Sequence, residues 1–159
     1  MHEYLPDDLD YKILQIIAND ARISFLEVSR VCNVSGAAVH QRVQKMIAHG
    51  IITGSEFNLN MSLIGFKTCA FVSLSFAETA ELESIVEKLK AIPEIMECHC
   101  ISGIADLLIK VYAMDNSHLL RIIRQRIKPL GAVKADPIIS YGELFHRQMT
   151  FPKGFAKEE

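Results

Sequence analysis

Ser35, Gly36, Ala37, Ala38, His40, Gln41, Arg42 and Lys45 stand close together and mix small side chains with hydrogen-bonding and cationic ones. Such a set suits the major groove of a DNA duplex. Gly36, Ala37 and Ala38 allow close approach of a backbone. Gln41 and Arg42 can each make paired hydrogen bonds to a base edge, and Lys45 can hold a phosphate. Gln44 belongs to the same polar side. A solvated face of a protein-interaction hairpin has a similar composition, so the residues alone leave both readings open.

The elements that would position this set are legible on either side of it. Residues 24–50, SFLEVSRVCNVSGAAVHQRVQKMIAHG, read as two short helices parted by a Cys32-Asn33-Val34 turn. Ser24 and Glu27 form a capping box at the start of the first. Leu26 faces inward there, with Val28 or Ser29 beside it, until Asn33 ends the helix. Ser35 caps the second, whose buried stripe is Val39, Val43, Met46 and Ile47. Gly50 stops it, and residues 51–59 resemble a short strand pair, a wing. Residues 8–20 add an earlier helix that turns Leu9, Ile13, Ile16 and Ile17 toward the pair.

Charge is unevenly placed. The 159-residue chain carries a net charge of −2 and a pI near 6.3, which does not suit a non-specific nucleic-acid binder. Arg22, Arg30, Arg42 and Lys45 against Glu27 leave residues 21–50 at +3, whereas five carboxylates against Lys12 leave residues 1–20 at −4. So small a basic patch implies weak binding by one copy and joint action by several. Half the residues are hydrophobic, enough for real cores. No apolar run approaches the roughly 20 residues that span a bilayer, and the start, MHEYLPDD, lacks the layout of a secretion signal. A soluble, cytoplasmic protein without membrane contact is expected. Cys32, Cys69, Cys98 and Cys100 lie in apolar segments and read as reduced core thiols. In a strand, Cys98 and Cys100 point away from His99, and no second cluster completes a ligand set, so neither a metal nor a cofactor is expected.

Beyond a linker at residues 60–65 the periodicity changes. Residues 66–76 are β-rich, and 78–92 form an amphipathic helix with Leu82, Ile85, Val86 and Leu89 inward. Strands follow at 95–101 and 106–113. A helix at 116–128 buries Leu119, Ile123 and Ile127 and is stopped by Pro129 and Gly131. Residues 132–145 form a last strand. This β-α-β-β-α-β order is the ferredoxin-like arrangement. The chain thus divides into a winged helix-turn-helix domain over 1–59, a ferredoxin-like domain over 66–146 and a tail over 147–159: an α+β protein. Both sheet faces carry apolar residues, as Phe71 with Val72 and Leu107 with Leu108 show, which predicts face-to-face dimerisation.

Taken together, these residues resemble the Lrp/AsnC family, the leucine-responsive or feast/famine transcriptional regulators of bacteria and archaea. The likeness is carried by Leu9-Asp10, Ile13-Leu14, Asp20-Ala21-Arg22-Ile23-Ser24, Val34-Ser35, Val39, Arg42-Val43 and Gly50-Ile51-Ile52-Thr53-Gly54. It continues through Leu59-Asn60, Gly65, Glu97-Cys98, Ser102-Gly103, Asp106 and Leu130-Gly131-Ala132-Val133, so that it spans residues 8–145 in order. The resemblance implies a DNA-binding regulator, not an enzyme, whose subunits pair through the sheet and assemble into tetramers or octamers. It also implies an effector, an amino acid or related small molecule, bound between dimers at Ser102, Gly103, Ile104, Ala105 and Asp106. Loop amides would receive its carboxylate and Asp106 its ammonium group. The plainer reading is that Gly103 makes a turn and Asp106 caps it.

Departures from the family pattern bear on that pocket. Ala105 replaces a frequent aromatic residue, Ala135 and Pro137 replace hydroxyl residues, and Met61 replaces a linker proline, so no leucine or asparagine response transfers. Phe151 and Phe155 in the tail dock on a neighbour or stay disordered. Two rival readings share the architecture: a sirohaem-decarboxylase-like enzyme, and a DNA-inactive sensor acting by mixed assembly. The apolar run over 101–108 and the absence of a catalytic constellation speak against the enzyme.

Overall fold

Short polar side chains set the boundaries of the first three helices. In a computed structural model of the chain, which describes residues 4–55 and 57–147, Asp7 caps α1 (Asp8–Asn19). The cap is reciprocal: the Asp10 amide donates to Asp7 Oδ1 at 2.9 Å and the Asp7 amide to Asp10 Oδ2 at 3.1 Å. Ser24 and Glu27 form the expected capping box on α2 (Phe25–Cys32). Asn33 closes that helix at φ 57°, the left-handed conformation that asparagine tolerates better than most residues. Ser35 then accepts from the Ala38 amide at 3.1 Å and opens α3 (Gly36–Ala48).

These helices belong to a first unit that runs up to Asn58. Its core joins Ile13 of α1, Val28 and Cys32 of α2, and Val39, Val43 and Met46 of α3. Two expected core residues lie outside it. Leu26 is 59 % exposed and Ile47 45 % exposed. Leu26 sits two positions before Val28, which turns it to the opposite side of α2, and Ile47 falls on the margin of the stripe that Val39, Val43 and Met46 already fill. Among the described residues of 51–59 there is no strand. The Ile51 and Ile52 amides both return to the Met46 carbonyl, at 2.9 and 3.3 Å, so they finish α3 instead of starting a ladder.

The second unit, Leu59–Leu144, follows the expected β-α-β-β-α-β order. Its elements are β1 (Thr68–Ser75), α4 (Leu82–Lys90), β2 (Ile95–Cys100), β3 (Leu107–Ala113), α5 (Asn116–Ile122) and β4 (Lys134–Ser140). All strand pairs are antiparallel, in the order β2-β3-β1-β4. The helix expected over 116–128 changes form after Ile122, passing through a π-helical turn (Ile123–Ile127) and a 3-10 turn (Lys128–Leu130) before Gly131 ends it at φ 98°. Pro137 is accommodated because β4 is an edge strand, where a missing amide breaks no inner ladder.

One sheet face is sealed: Ala70, Val72, Leu74, Ile109 and Val111 pack against Ile85 and Leu89 of α4 and Leu119 of α5. The other presents Phe71, Leu108, Tyr112 and the 64 % exposed Ile138, crossed by a Lys110–Glu97 ion pair of 2.9 Å. The cysteines correct the expectation of core thiols, since only Cys32 is buried, while Cys98 and Cys100 are exposed. They stand on edge strand β2, opposite Ile109 and Leu107 in register, where the helices give incomplete cover. Among the described residues no group of three or more His, Cys, Asp or Glu is placed to hold a metal ion, and no helix is long and apolar enough to cross a membrane. Phe151 and Phe155 lie outside the described residues.

Candidate nucleic-acid interface and ligand-binding loop

Burial of Val39, Val43 and Met46 leaves the opposite side of α3 open. Ala37, His40, Gln41, Gln44 and Lys45 are exposed there, with Ser35 exposed at its cap and Gly36 and Ala38 half-buried. The His40 ring meets the Phe25 ring edge-on at 5.8 Å, which orients the imidazole. The two glutamines are three residues apart and therefore neighbours on the helix surface. This face offers donors and acceptors suited to base edges on a backbone with little side-chain bulk at its start.

Arg42, half-buried on the same helix, has carboxylate partners. Its Nη1 donates to Asp7 Oδ2 at 2.7 Å and to Asp10 Oδ1 at 2.8 Å. Asp10 is buried, 1 % exposed, so the guanidinium compensates an interior carboxylate and joins α3 to α1. Hydrogen bonds to Asp10 and then Asp7 raise the Arg42 pKa further. Burial would push the Asp7 carboxyl up, but the Asp10 amide and Arg42 outweigh it and hold the group below its ordinary value.

Tyr4 completes this cluster. Its hydroxyl donates to Asp10 Oδ2 at 2.5 Å, and burial, reinforced by that bond, pushes its pKa up to about 12. The Lys45 ammonium lies 4.3 Å from the Tyr4 ring centroid, and the His49 ring stacks on it at 5.0 Å and 23°. A cavity of about 630 Å³ opens among Tyr4, Asp7, Gln41, Arg42, Lys45 and His49. Sequence reading missed Tyr4, Asp7, Asp10 and His49. The available signal was the acidic excess of residues 1–20 facing the basic excess of residues 21–50, which indicates pairing as readily as a basic patch.

The second candidate site is the loop between β2 and β3. Ser102 and Gly103 are exposed, Ile104 is 94 % exposed, Ala105 is buried and Asp106 half-buried. Gly103 adopts φ 116° with open space where a Cβ would stand, so conformation and not crowding calls for glycine. Asp106 Oδ2 accepts from the Phe76 amide at 2.8 Å. Its own amide donates to Leu74 and its carbonyl accepts from Ile101, at 3.0 and 3.1 Å. Asp106 therefore fastens the loop to the end of β1. Ala105 is buried, whereas Ser102, Gly103 and Ile104 before it are exposed. An opening of about 450 Å³ is bordered by Leu82 and Val86 of α4, Cys100 of β2 and Leu107 of β3.

A helix-turn-helix unit followed by a ferredoxin-like unit defines a two-domain DNA-binding regulator, and comparison with known proteins agrees. Residues 6–53 match the winged helix-turn-helix DNA-binding domain and residues 69–136 the Lrp/AsnC ligand binding domain. The chain is 32 % identical over 132 residues to the proline dehydrogenase transcriptional activator of Rhizobium radiobacter, covering 80 % of this chain and 85 % of that protein. The solved structure of Escherichia coli AsnC superposes with a TM-score of 0.82 at 25 % identity, over 92 % of this chain and 99 % of that one. A transcriptional regulator of Neisseria meningitidis, solved as an L-Met complex, shares the fold with a TM-score of 0.83 at 20 % identity, over 94 % of this chain and 97 % of that one. This chain belongs to the Lrp/AsnC family of transcriptional regulators.

Proposed function

We propose that the exposed face of α3 reads operator DNA, and that an amino acid or related small molecule alters this binding from the second domain. Gln41 and Gln44 address base edges, His40 and Lys45 flank them, and Ser35, Gly36, Ala37 and Ala38 permit close approach. The observation that supports this most is the joint exposure of Ala37, Gln41 and Gln44 on a helix whose other side is buried. Arg42 serves as the tie to α1.

The effector sits between dimers at the exposed part of the 102–106 loop, as the Neisseria protein's L-Met complex suggests by class of ligand. Subunits pair through the open sheet face around Phe71, Leu108 and Ile138 and assemble further into tetramers or octamers in the cytoplasm. Effector binding favours one assembly and so changes the spacing of the α3 helices and the affinity for paired half-sites. The chain catalyses no reaction. A gel-shift titration on the protein's own upstream region, with and without a panel of amino acids, tests this reading. A discrete shifted species that responds to one amino acid is expected; no shift under any condition would point to the DNA-inactive sensor.

A further inference from the structure

We infer that Tyr4 is a positioning residue for DNA binding: its ring pins the Lys45 ammonium beside the exposed face of α3 without neutralising it. The inference rests on α3 being the DNA-reading helix. Tyr4 lies ahead of residues 6–53, the stretch matched to the helix-turn-helix domain, so the domain match assigns it no role.

The N-terminal segment treats two neighbouring cations differently. Arg42 meets carboxylates at 2.7 and 2.8 Å, which offset its charge and occupy its donors. Lys45 meets an aromatic face at 4.3 Å. A ring attracts a cation through its quadrupole and contributes no formal charge, so the ammonium stays positive and can still donate to a phosphate. The ring is itself held, by the 2.5 Å bond to buried Asp10 and by the stacked His49. A chain of contacts thus runs from the core through Tyr4 to Lys45, a flexible side chain that has less freedom left to lose when it meets DNA. Exposed Gln41 borders the same cavity, which places the pinned charge next to the reading face.

The test measures affinity for the upstream duplex against salt concentration, using the full chain. The proteins compared are the wild type, Tyr4→Ala, Tyr4→Phe, Lys45→Ala and the Tyr4→Ala/Lys45→Ala double variant. Tyr4→Ala is expected to weaken binding about two- to tenfold, the order of magnitude for having to immobilise one more flexible side chain on binding. Tyr4→Phe, which keeps the ring, retains most of the affinity. Lys45→Ala lowers the salt slope by about one, and in that background Tyr4→Ala has no further effect. Tighter binding by Tyr4→Ala, an equal loss with Lys45 already removed, or an unchanged slope in Lys45→Ala would each overturn the inference. Failure of the wild type to bind DNA would instead remove the reading of α3 on which it rests.

Discussion

Arg42 of α3 and the buried Asp10 of α1 are joined by a 2.8 Å hydrogen bond, and the same Arg42 nitrogen reaches Asp7 at 2.7 Å. The guanidinium thereby ties α3 to α1. Arg42→Ala leaves a carboxylate in the interior without its cation, a change that costs several kcal/mol when the pair is fully buried. Arg42 retains partial solvent contact, so a loss of about 2 kcal/mol is expected. Urea denaturation of the full chain measures it. An unchanged midpoint would mean that the tie contributes nothing.

Acid should weaken the first unit through the same cluster. The Asp7 carboxyl is held below its ordinary value, so the folded state keeps it ionised more readily than the unfolded chain does. Its contribution is complete above about pH 4 and fades as pH falls through the lowered folded value. Asp7→Asn preserves a helix cap but removes the charge. The variant is expected to be less stable near pH 7 and to lose stability less steeply as pH falls below about 4. Parallel stability curves for the two proteins would contradict the assignment.

Asp106 allows its structural and ligand-binding roles to be separated. Asp106→Ala removes the acceptor of the Phe76 amide and should cost about 1–2 kcal/mol, with faster hydrogen exchange at that amide. Asp106→Asn keeps an acceptor of the same shape and should hold most of the stability. If the carboxylate also receives an effector ammonium, calorimetry will show Asp106→Asn losing amino-acid affinity while remaining folded. Equal affinity would confine Asp106 to the turn.

The open sheet face bears on assembly. Ile138, 64 % exposed, lies opposite Phe71 in register, and a charge there would be desolvated in a face-to-face dimer. Light scattering is expected to show Ile138→Lys shifted toward monomer with its thermal stability as a monomer intact. Wild-type mass in that variant would place the dimer interface elsewhere.

Much of the architecture is legible along the chain because it depends on local signals. Ser24 with Glu27, Asn33 and Ser35 mark helix ends through bonds spanning three residues, and alternation such as Ala70, Val72 and Leu74 marks a strand. Features that depend on distant partners are not legible in that way. The ties from Arg42 to Asp7 and Asp10 are of this kind, because those partners lie more than thirty positions earlier. Cys98 and Cys100 look like core residues because their composition says nothing of an edge strand with incomplete cover. The expected wing strands fail for a related reason: hydrophobic Ile51 and Ile52 invite pairing, but the Met46 carbonyl takes their amides first.

The central claim is that the open side of α3 enters the duplex, and fluorescence anisotropy with a Gln41→Ala/Gln44→Ala variant tests it most directly. Both glutamines are exposed, so the variant should keep the wild-type unfolding midpoint. Its preference for the upstream duplex over a scrambled one is expected to fall at least about tenfold, the order of magnitude for losing a bidentate base contact. Binding to scrambled DNA should change little. Undiminished preference in a folded variant would contradict the account.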